Sequence, residues 1–212
     1  RTWIYVRDID DTYGEMAEAR RNLFARHGLT PETHFIASTG IAGASADPRA
    51  RVFMDAYAVS GLGPDRVHYL RAPEHLSPTH VYGVTFERGT AIHYPDRTHV
   101  TLSGTASIDR TGAILHRGNL PRQMDRTLEN MEALLSEAGA GLDAVRVFTV
   151  YLRNDIDRAY ACWRMQERFG DTPLVVVAAP VCRPGWLIEI ECEALVSEPR
   201  PGPAERHPAT DR

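Results

Sequence analysis

The sequence predicts an α+β protein: a two-layer domain with a mixed sheet and two helices on one face, preceded by a partial second α+β unit. Three observations carry this. Met124, Leu128, Met131, Leu134, Leu135 and Ala138 recur at helical spacing. From Trp186 the residues alternate with strand periodicity. Between a second helical segment and that last strand lies the apolar run Pro173–Ala179 (PLVVVAA), which reads as a buried strand.

Thr2 to Val6 (TWIYV) is rich in β-formers and reads as a strand. Asp10-Asp11 caps a helix from Thr12 to about His27, ended by Gly28. His34 to Ile41 is a short strand, and Val52 to Val59 another, followed by the turn Gly61-Leu62-Gly63-Pro64. Val67 to Leu70 is a third short strand, and Pro73 to Pro78 is irregular. These elements form the partial N-terminal unit, expected over residues 1–78. The main domain is expected over residues 79–197.

There Tyr82 to His93 alternates, Tyr94-Pro95-Asp96 turns, and His99 to Ser103 is a strand running into Gly104-Thr105-Ala106-Ser107. Asn119 caps a helix with Pro121 in its first turn, and Gly139 and Gly141 end it after about Ala138. Leu142 to Leu152 holds a buried strand, and Asp155 or Asp157 opens a helix to Phe169, stopped by Gly170. The tail, residues 198–212, is Pro-rich and polar and is expected to be disordered.

The last strand follows a Pro184-Gly185 turn. Trp186, Ile188, Ile190 and Cys192 point to one face; Leu187, Glu189, Glu191 and Glu193 point to the other. An acidic face of this kind meets solvent in many antiparallel sheets. Alternatively, a carboxylate is held in a cleft near Arg183, where its acidity is tuned. Oligomerisation is one way to cover such a face.

The 212 residues carry 24 cationic and 28 acidic side chains, a net charge of −4, which gives no basic signal for nucleic acid. No lysine is present, so a lysine Schiff base and the usual pyridoxal phosphate chemistry are excluded. Carboxylate recognition would fall to arginine forks. Cys162, Cys182 and Cys192 form no CxxC pair, and the histidines show no helical metal spacing. No signal peptide, membrane-length apolar run, P-loop, GxGxxG or nucleophile elbow stands out, and the expected compartment is the reducing cytoplasm.

From about Val100 to Val196 the chain resembles the YjgF/RidA family. The matching pieces are Ser103-Gly104 after a strand, Gln123 to Asn130 opening a helix, Gly139 to Val145, Val150-Tyr151-Leu152, and the ending Glu189-Ile190-Glu191. The resemblance implies a chorismate-mutase-like two-layer domain that assembles as a homotrimer with a central barrel of sheets and clefts between subunits. It also resembles the chorismatases, which hydrolyse chorismate in secondary metabolism. That pattern rests on Tyr13 and Arg20, Ala37 to Ile41 with Gly43, Tyr82-Gly83 with Phe86 and Arg88, Ser103 to Ile108, and Cys182-Arg183-Pro184 through Glu189. Ala17 and Glu87 depart from it, standing where other polar residues are expected.

The chorismatase resemblance implies cleavage of an enolpyruvyl ether to pyruvate and a ring product. Such chemistry needs a carboxylic acid that stays protonated near neutral pH. Glu189 is the candidate acid, with Glu191 on the same face as its understudy. A cysteine at the position of Cys182 marks, in that family, members that form 3-hydroxybenzoate rather than a dihydroxycyclohexadiene carboxylate, so Cys182 is a candidate catalytic group. Arg183, Arg88 and Arg20 are the candidate carboxylate clamps. Tyr82 and Tyr13 are further candidate substrate contacts, and Ser103, Gly104, Thr105 and Ala106 bring backbone close to ligand. No metal and no organic cofactor are expected. Rival readings stay open: a RidA-like enamine/imine deaminase needing one carboxylate clamp, a diverged hydrolase acting on another small carboxylate, and a non-catalytic trimeric ligand-binding module.

Overall fold

The computed structural model describes residues 1–197; the tail expected to be disordered lies outside them. The N-terminal unit holds β1 (Thr2–Val6), α1 (Ile9–Arg26), β2 (Ser38–Ala42) and β3 (Val52–Ala56). Its sheet has the order β2-β1-β3, with β1 parallel to β2 and antiparallel to β3. The larger unit holds β4 (Val67–Leu70), β5 (Gly89–His93), β6 (Arg97–Ala106), α2 (Leu120–Glu137), β7 (Val145–Leu152), α3 (Arg158–Phe169), β8 (Leu174–Ala178) and β9 (Ile188–Ser197). Its six strands run in the order β4-β5-β6-β9-β7-β8, antiparallel except for β7 and β8, which α3 joins in parallel.

Local chemistry explains most boundaries. Asn119 caps α2 by accepting from the Arg122 amide at 3.1 Å, as its sequence position predicts. α1 starts earlier than expected. Asp8 adopts the left-handed conformation at φ 50°, and the Thr12 hydroxyl donates back to the Arg7 and Asp8 carbonyls. Asp10 and Asp11 thus sit inside the first turn, where the helix dipole favours carboxylates. The strand expected over 82–93 is shorter, beginning at Gly89, because Thr79–Tyr82 forms a 3₁₀ turn closed by Gly83 at φ 84°.

The unit boundary expected after residue 78 also moves. β4 pairs antiparallel with β5, and Ala72 and Leu76 are buried in the main core. Residues 67–78 therefore belong to the larger unit, and pairing and burial override the loop-like composition of Pro73–Pro78.

The core lies between the six-stranded sheet and α2, with Met124, Leu128, Met131, Leu134 and Leu135 fully buried against Leu102, Phe148, Val150, Ile188 and Ile190. The other face of the sheet is where the N-terminal unit docks. β2 is stitched in at both ends. Ala42 N–H donates to Pro180 O at 2.8 Å, and Glu87 N–H donates to Ile36 O at 3.2 Å. Arg153 clamps the same joint through the Asp10 carboxylate at 2.9 and 3.1 Å and the carbonyls of Val181 and Trp186. The acidic face of β9 is covered from within the same chain, neither open to solvent nor dependent on a second copy at Glu189 and Glu191, which are 4% and 7% exposed.

One irregularity shapes this face. Leu102 pairs with Cys192 and Thr105 with Ile190, so two residues of β6, Ser103 and Gly104, oppose the single residue Glu191. This is a β-bulge. Asn130 on α2 secures the strand beyond it, donating to the carbonyls of Ala106 and Ile108 at 3.0 Å each. Replacing buried Asn130 by alanine leaves both carbonyls without these donors, and urea denaturation should register a loss of about 2–3 kcal/mol.

Candidate functional site

A cavity of about 240 Å³ lies between α1, β2, the end of β6 and the start of β9. Its wall contains Tyr13, Arg20, Tyr82, Arg88, Gly104, Ala106, Cys182, Arg183 and Glu189, nine of the eleven residues expected to form the site. Ser103 and Thr105 are not part of that wall. Ser103 is on the bulge with its hydroxyl occupied: it donates to Glu87 O at 2.5 Å and accepts from Ser38 N–H at 2.9 Å. Thr105 pairs with core-facing Ile190, and its hydroxyl donates to Ser103 O at 2.9 Å. The strand alternation after the bulge gives Gly104 and Ala106 to the cavity and Thr105 to the core.

Glu189 is the buried carboxyl of this cavity, and among the described residues no hydrogen-bond donor reaches it. Burial, reinforced by the neighbouring charge of Glu191, pushes its pKa up to about 8, with Arg88 and Arg1 opposing. Near neutral pH it therefore carries its proton. Gly104 makes this placement possible: a methyl group there would overlap the Glu189 carboxyl and crowd Thr39. Here the missing side chain answers to close approach.

Three guanidinium groups surround this acid. Arg88 is 4% exposed, donates from Nη2 to Ser77 O at 2.9 Å, and lies over the rings of Tyr82 and Phe86. Arg183 donates to Gly112 O at 2.9 Å and lies over Tyr82 at 4.8 Å and Trp186 at 5.3 Å. Arg20 donates to the Ser38 hydroxyl at 3.2 Å; burial lowers its pKa to about 10, which leaves it cationic at neutral pH. The buried Arg88 Nε and Arg20 Nη2 have no hydrogen-bond partner, and neither do Tyr82 Oη and Trp186 Nε1. Orphaned donors buried around one cavity are positions for a ligand's acceptors.

The Cys182 thiol lies beside the Tyr13 hydroxyl, and burial followed by the Glu189 charge pushes its pKa up to about 12. It is a neutral thiol in the resting protein, so a nucleophilic role requires a base to take its proton. Burial likewise raises Tyr13 and Tyr82 above the ordinary tyrosine value.

Sequence reasoning missed the residues around Glu191. Its Oε2 accepts from Arg1 Nη2 and the Thr39 hydroxyl at 2.5 Å each. Its Oε1 accepts from Trp3 Nε1 at 3.0 Å and the Tyr151 hydroxyl at 2.9 Å. The available signals were the shared face of Glu189 and Glu191 on β9 and the place of Thr39 in the Ala37–Ile41 stretch; nothing local marked Arg1 or Trp3. Among the described residues no helix is long and apolar enough to cross a membrane.

The raised Glu189 pKa has a consequence for stability. Between its ordinary value of 4.5 and about 8 the folded protein keeps a proton that the unfolded chain gives up, so folding weakens as pH rises through that window. Glu189→Gln is neutral throughout and escapes this loss. Its Tm should match the parent's near pH 4 and exceed it by roughly 5 °C or more at pH 8, measured by calorimetry. Equal Tm differences at the two pH values would contradict the buried, protonated acid.

Comparison with known proteins agrees with this architecture. The family model described as Endoribonuclease L-PSP matches residues 90–196. A RutC family protein of Pyrococcus abyssi is 37% identical over 97 residues, which are 45% of this chain and 76% of that protein. A RutC family protein of Pyrococcus horikoshii is 36% identical over 95 residues, 44% of this chain and 75% of its own length. A crystal structure of a chorismatase superposes with a TM-score of 0.75 at 23% identity, over 92% of this chain and 63% of that one. This chain thus spans less than two thirds of that chorismatase, and the likeness is one of fold. A Rid family protein of Yersinia pestis matches with a TM-score of 0.52 at 19% identity, over 61% of this chain and 99% of its own. The chorismatase likeness extends into the N-terminal unit, whereas the sequence relatives match less than half of this chain. With its six-stranded mixed sheet backed by α2 and α3, this chain belongs to the Endoribonuclease L-PSP family.

Proposed function

We propose that the protein is a chorismatase-like hydrolase/lyase that cleaves the enolpyruvyl ether of chorismate, with Glu189 as the acid. The observation that carries this reading is a buried carboxyl, its pKa raised by burial, that shares one cavity wall with Arg88 and Arg20, each of which keeps a buried guanidinium nitrogen without a partner. A ligand with two carboxylates and an acid-labile ether matches that pattern of charge. Arg88, Arg183 and Arg20 hold the carboxylates, and Tyr82 offers its hydroxyl beside Arg88.

In the reaction, Glu189 gives its proton to the methylene carbon of the enol ether. Water adds to the resulting oxocarbenium carbon and returns a proton to the Glu189 carboxylate. The hemiketal then breaks its bond to the ring oxygen, releasing pyruvate and a dihydroxycyclohexadiene carboxylate. Loss of one water from the ring system gives 3-hydroxybenzoate instead, with no net water consumed. Cys182 shares the cavity wall with Glu189 and is a neutral thiol there; 3-hydroxybenzoate is favoured as the product on the resemblance carried by this cysteine.

The deaminase reading needs one clamp, Arg183, drawn from the matched family segment. The unpartnered atoms of Arg20 and Arg88 favour a ligand with more than one acidic group. A homotrimer is part of the same proposal, checked by light scattering in solution.

The test is incubation of the protein with chorismate, following pyruvate and the mass of the ring product. Pyruvate should appear, Glu189→Gln should lower kcat by about 100-fold or more, and the rate should fall as pH rises through about 8. Arg88→Met should raise KM as strongly as Arg183→Met. Folded protein releasing no pyruvate would overturn the chorismate reading. Turnover of an imino acid that ignores Arg88 would support the deaminase, and binding without turnover at any pH would support a binding module.

A further inference from the structure

Glu189 and Glu191 leave the same face of β9 two residues apart, and both are buried. Their surroundings differ in kind. Glu191 accepts from Arg1, Trp3, Thr39 and Tyr151, each donor within 3.0 Å. Three of the four belong to the N-terminal unit; Tyr151 comes from β7. Glu189 has no donor among the described residues. The charged and titratable groups acting on it are Glu191 on β9, Arg88 before β5, Arg1 before β1, Tyr13 on α1, Cys182 before β9 and Tyr151 on β7. Arg20, Arg183 and Tyr82 complete the wall.

Resting on the acid role given to Glu189, we propose that Glu191 is a positioning residue: a fixed anion, locked by the N-terminal unit, that keeps the catalytic proton on Glu189. Two neighbouring buried carboxyls resist carrying charge together, so one ionises first and the other holds its proton longer. Four donors stabilise the ionised form of Glu191 and none stabilises that of Glu189. Burial is the first cause that keeps the proton on Glu189 and the charge of Glu191 the second; the donor set makes Glu191 the carboxyl that carries that charge. On this view the N-terminal unit does more than roof the cavity, because it supplies the guanidinium, the indole N–H and one of the two hydroxyls that fix the choice.

The test reads the carboxyls themselves. Carbon-13 spectra of the full chain, grown on carboxyl-labelled glutamate, follow each buried carboxyl against pH, with the signal lost in Glu189→Gln giving the assignment. In the parent the Glu189 midpoint should lie near 8. In Glu191→Gln it should fall by about one pH unit or more, and the alkaline limb of any turnover should move with it. Glu191→Ala removes the same charge without adding an amide, so the Glu189 midpoint should fall there too; it decides the matter if Glu191→Gln does not fold. An unmoved Glu189 midpoint in the variant that folds would overturn the inference. These readouts are independent of substrate. A lowered midpoint in protein that releases no pyruvate would sustain the role of Glu191 and sink the chorismate reading. Glu189-dependent pyruvate release with an unmoved midpoint would do the reverse.

Discussion

The buried ion pair between Arg1 and Glu191, with its three additional donors, joins the two sheets of this protein. Bringing two charges out of water is expensive, and their attraction compensates only where the remaining hydrogen-bonding positions are filled. On the Glu191 side they are filled by Trp3, Thr39 and Tyr151, residues from three different strands, while Arg1 Nε has no partner. Taking away one member would strand a charge between the sheets, a loss of about 3–5 kcal/mol in comparable buried pairs. The pair is thus less a source of net stability than a statement of where β1 and β2 must sit. Once they sit there, β2 closes one side of the cavity and α1 brings Tyr13 and Arg20 to it.

The absence of lysine acquires a physical meaning in this setting. Burial lowers the Arg20 pKa to about 10, still far above neutrality. A lysine starts about two pH units lower and, given the same burial, would approach the range where its charge is lost. Arginine also sits over aromatic rings, as Arg183 does over Tyr82 and Trp186 and Arg88 does over Tyr82 and Phe86. A buried, aromatic-walled cavity that must remain cationic is a place where the two residues are not interchangeable.

Much of this was legible in the sequence where the signal is local. The α2 stripe, the Asn119 cap, the limits of β1 and β4 and the alternation entering β9 all rest on residues a few positions apart, and the structure has them. The cluster of site residues was legible through the resemblance and through the shared face of Glu189 and Glu191. What could not be read were the long-range polar contacts. Arg1, Trp3 and Thr39 meet a carboxylate more than 150 positions away, and no periodicity reports such a meeting. The same limit applies to Ser103 and Thr105. Residues 103 to 106 read as one stretch of small residues near a ligand, and the bulge sorts them into different jobs.

That bulge makes two incompatible demands satisfiable. Opposite Glu191, the strand must present a hydroxyl to fasten β2 and the Glu87 carbonyl, and it must also present bare backbone for the Glu189 carboxyl to lie against. No single amino acid does both. A version of β6 one residue shorter would keep Leu102 opposite Cys192 and Thr105 opposite Ile190, with every core contact intact. It would have one position for two roles, and either the seam to β2 or the seat for the carboxyl would go. In terms of descent, the smallest step from an ordinary sheet to one that shelters an acid is an insertion of one residue that the ladder absorbs without shifting register.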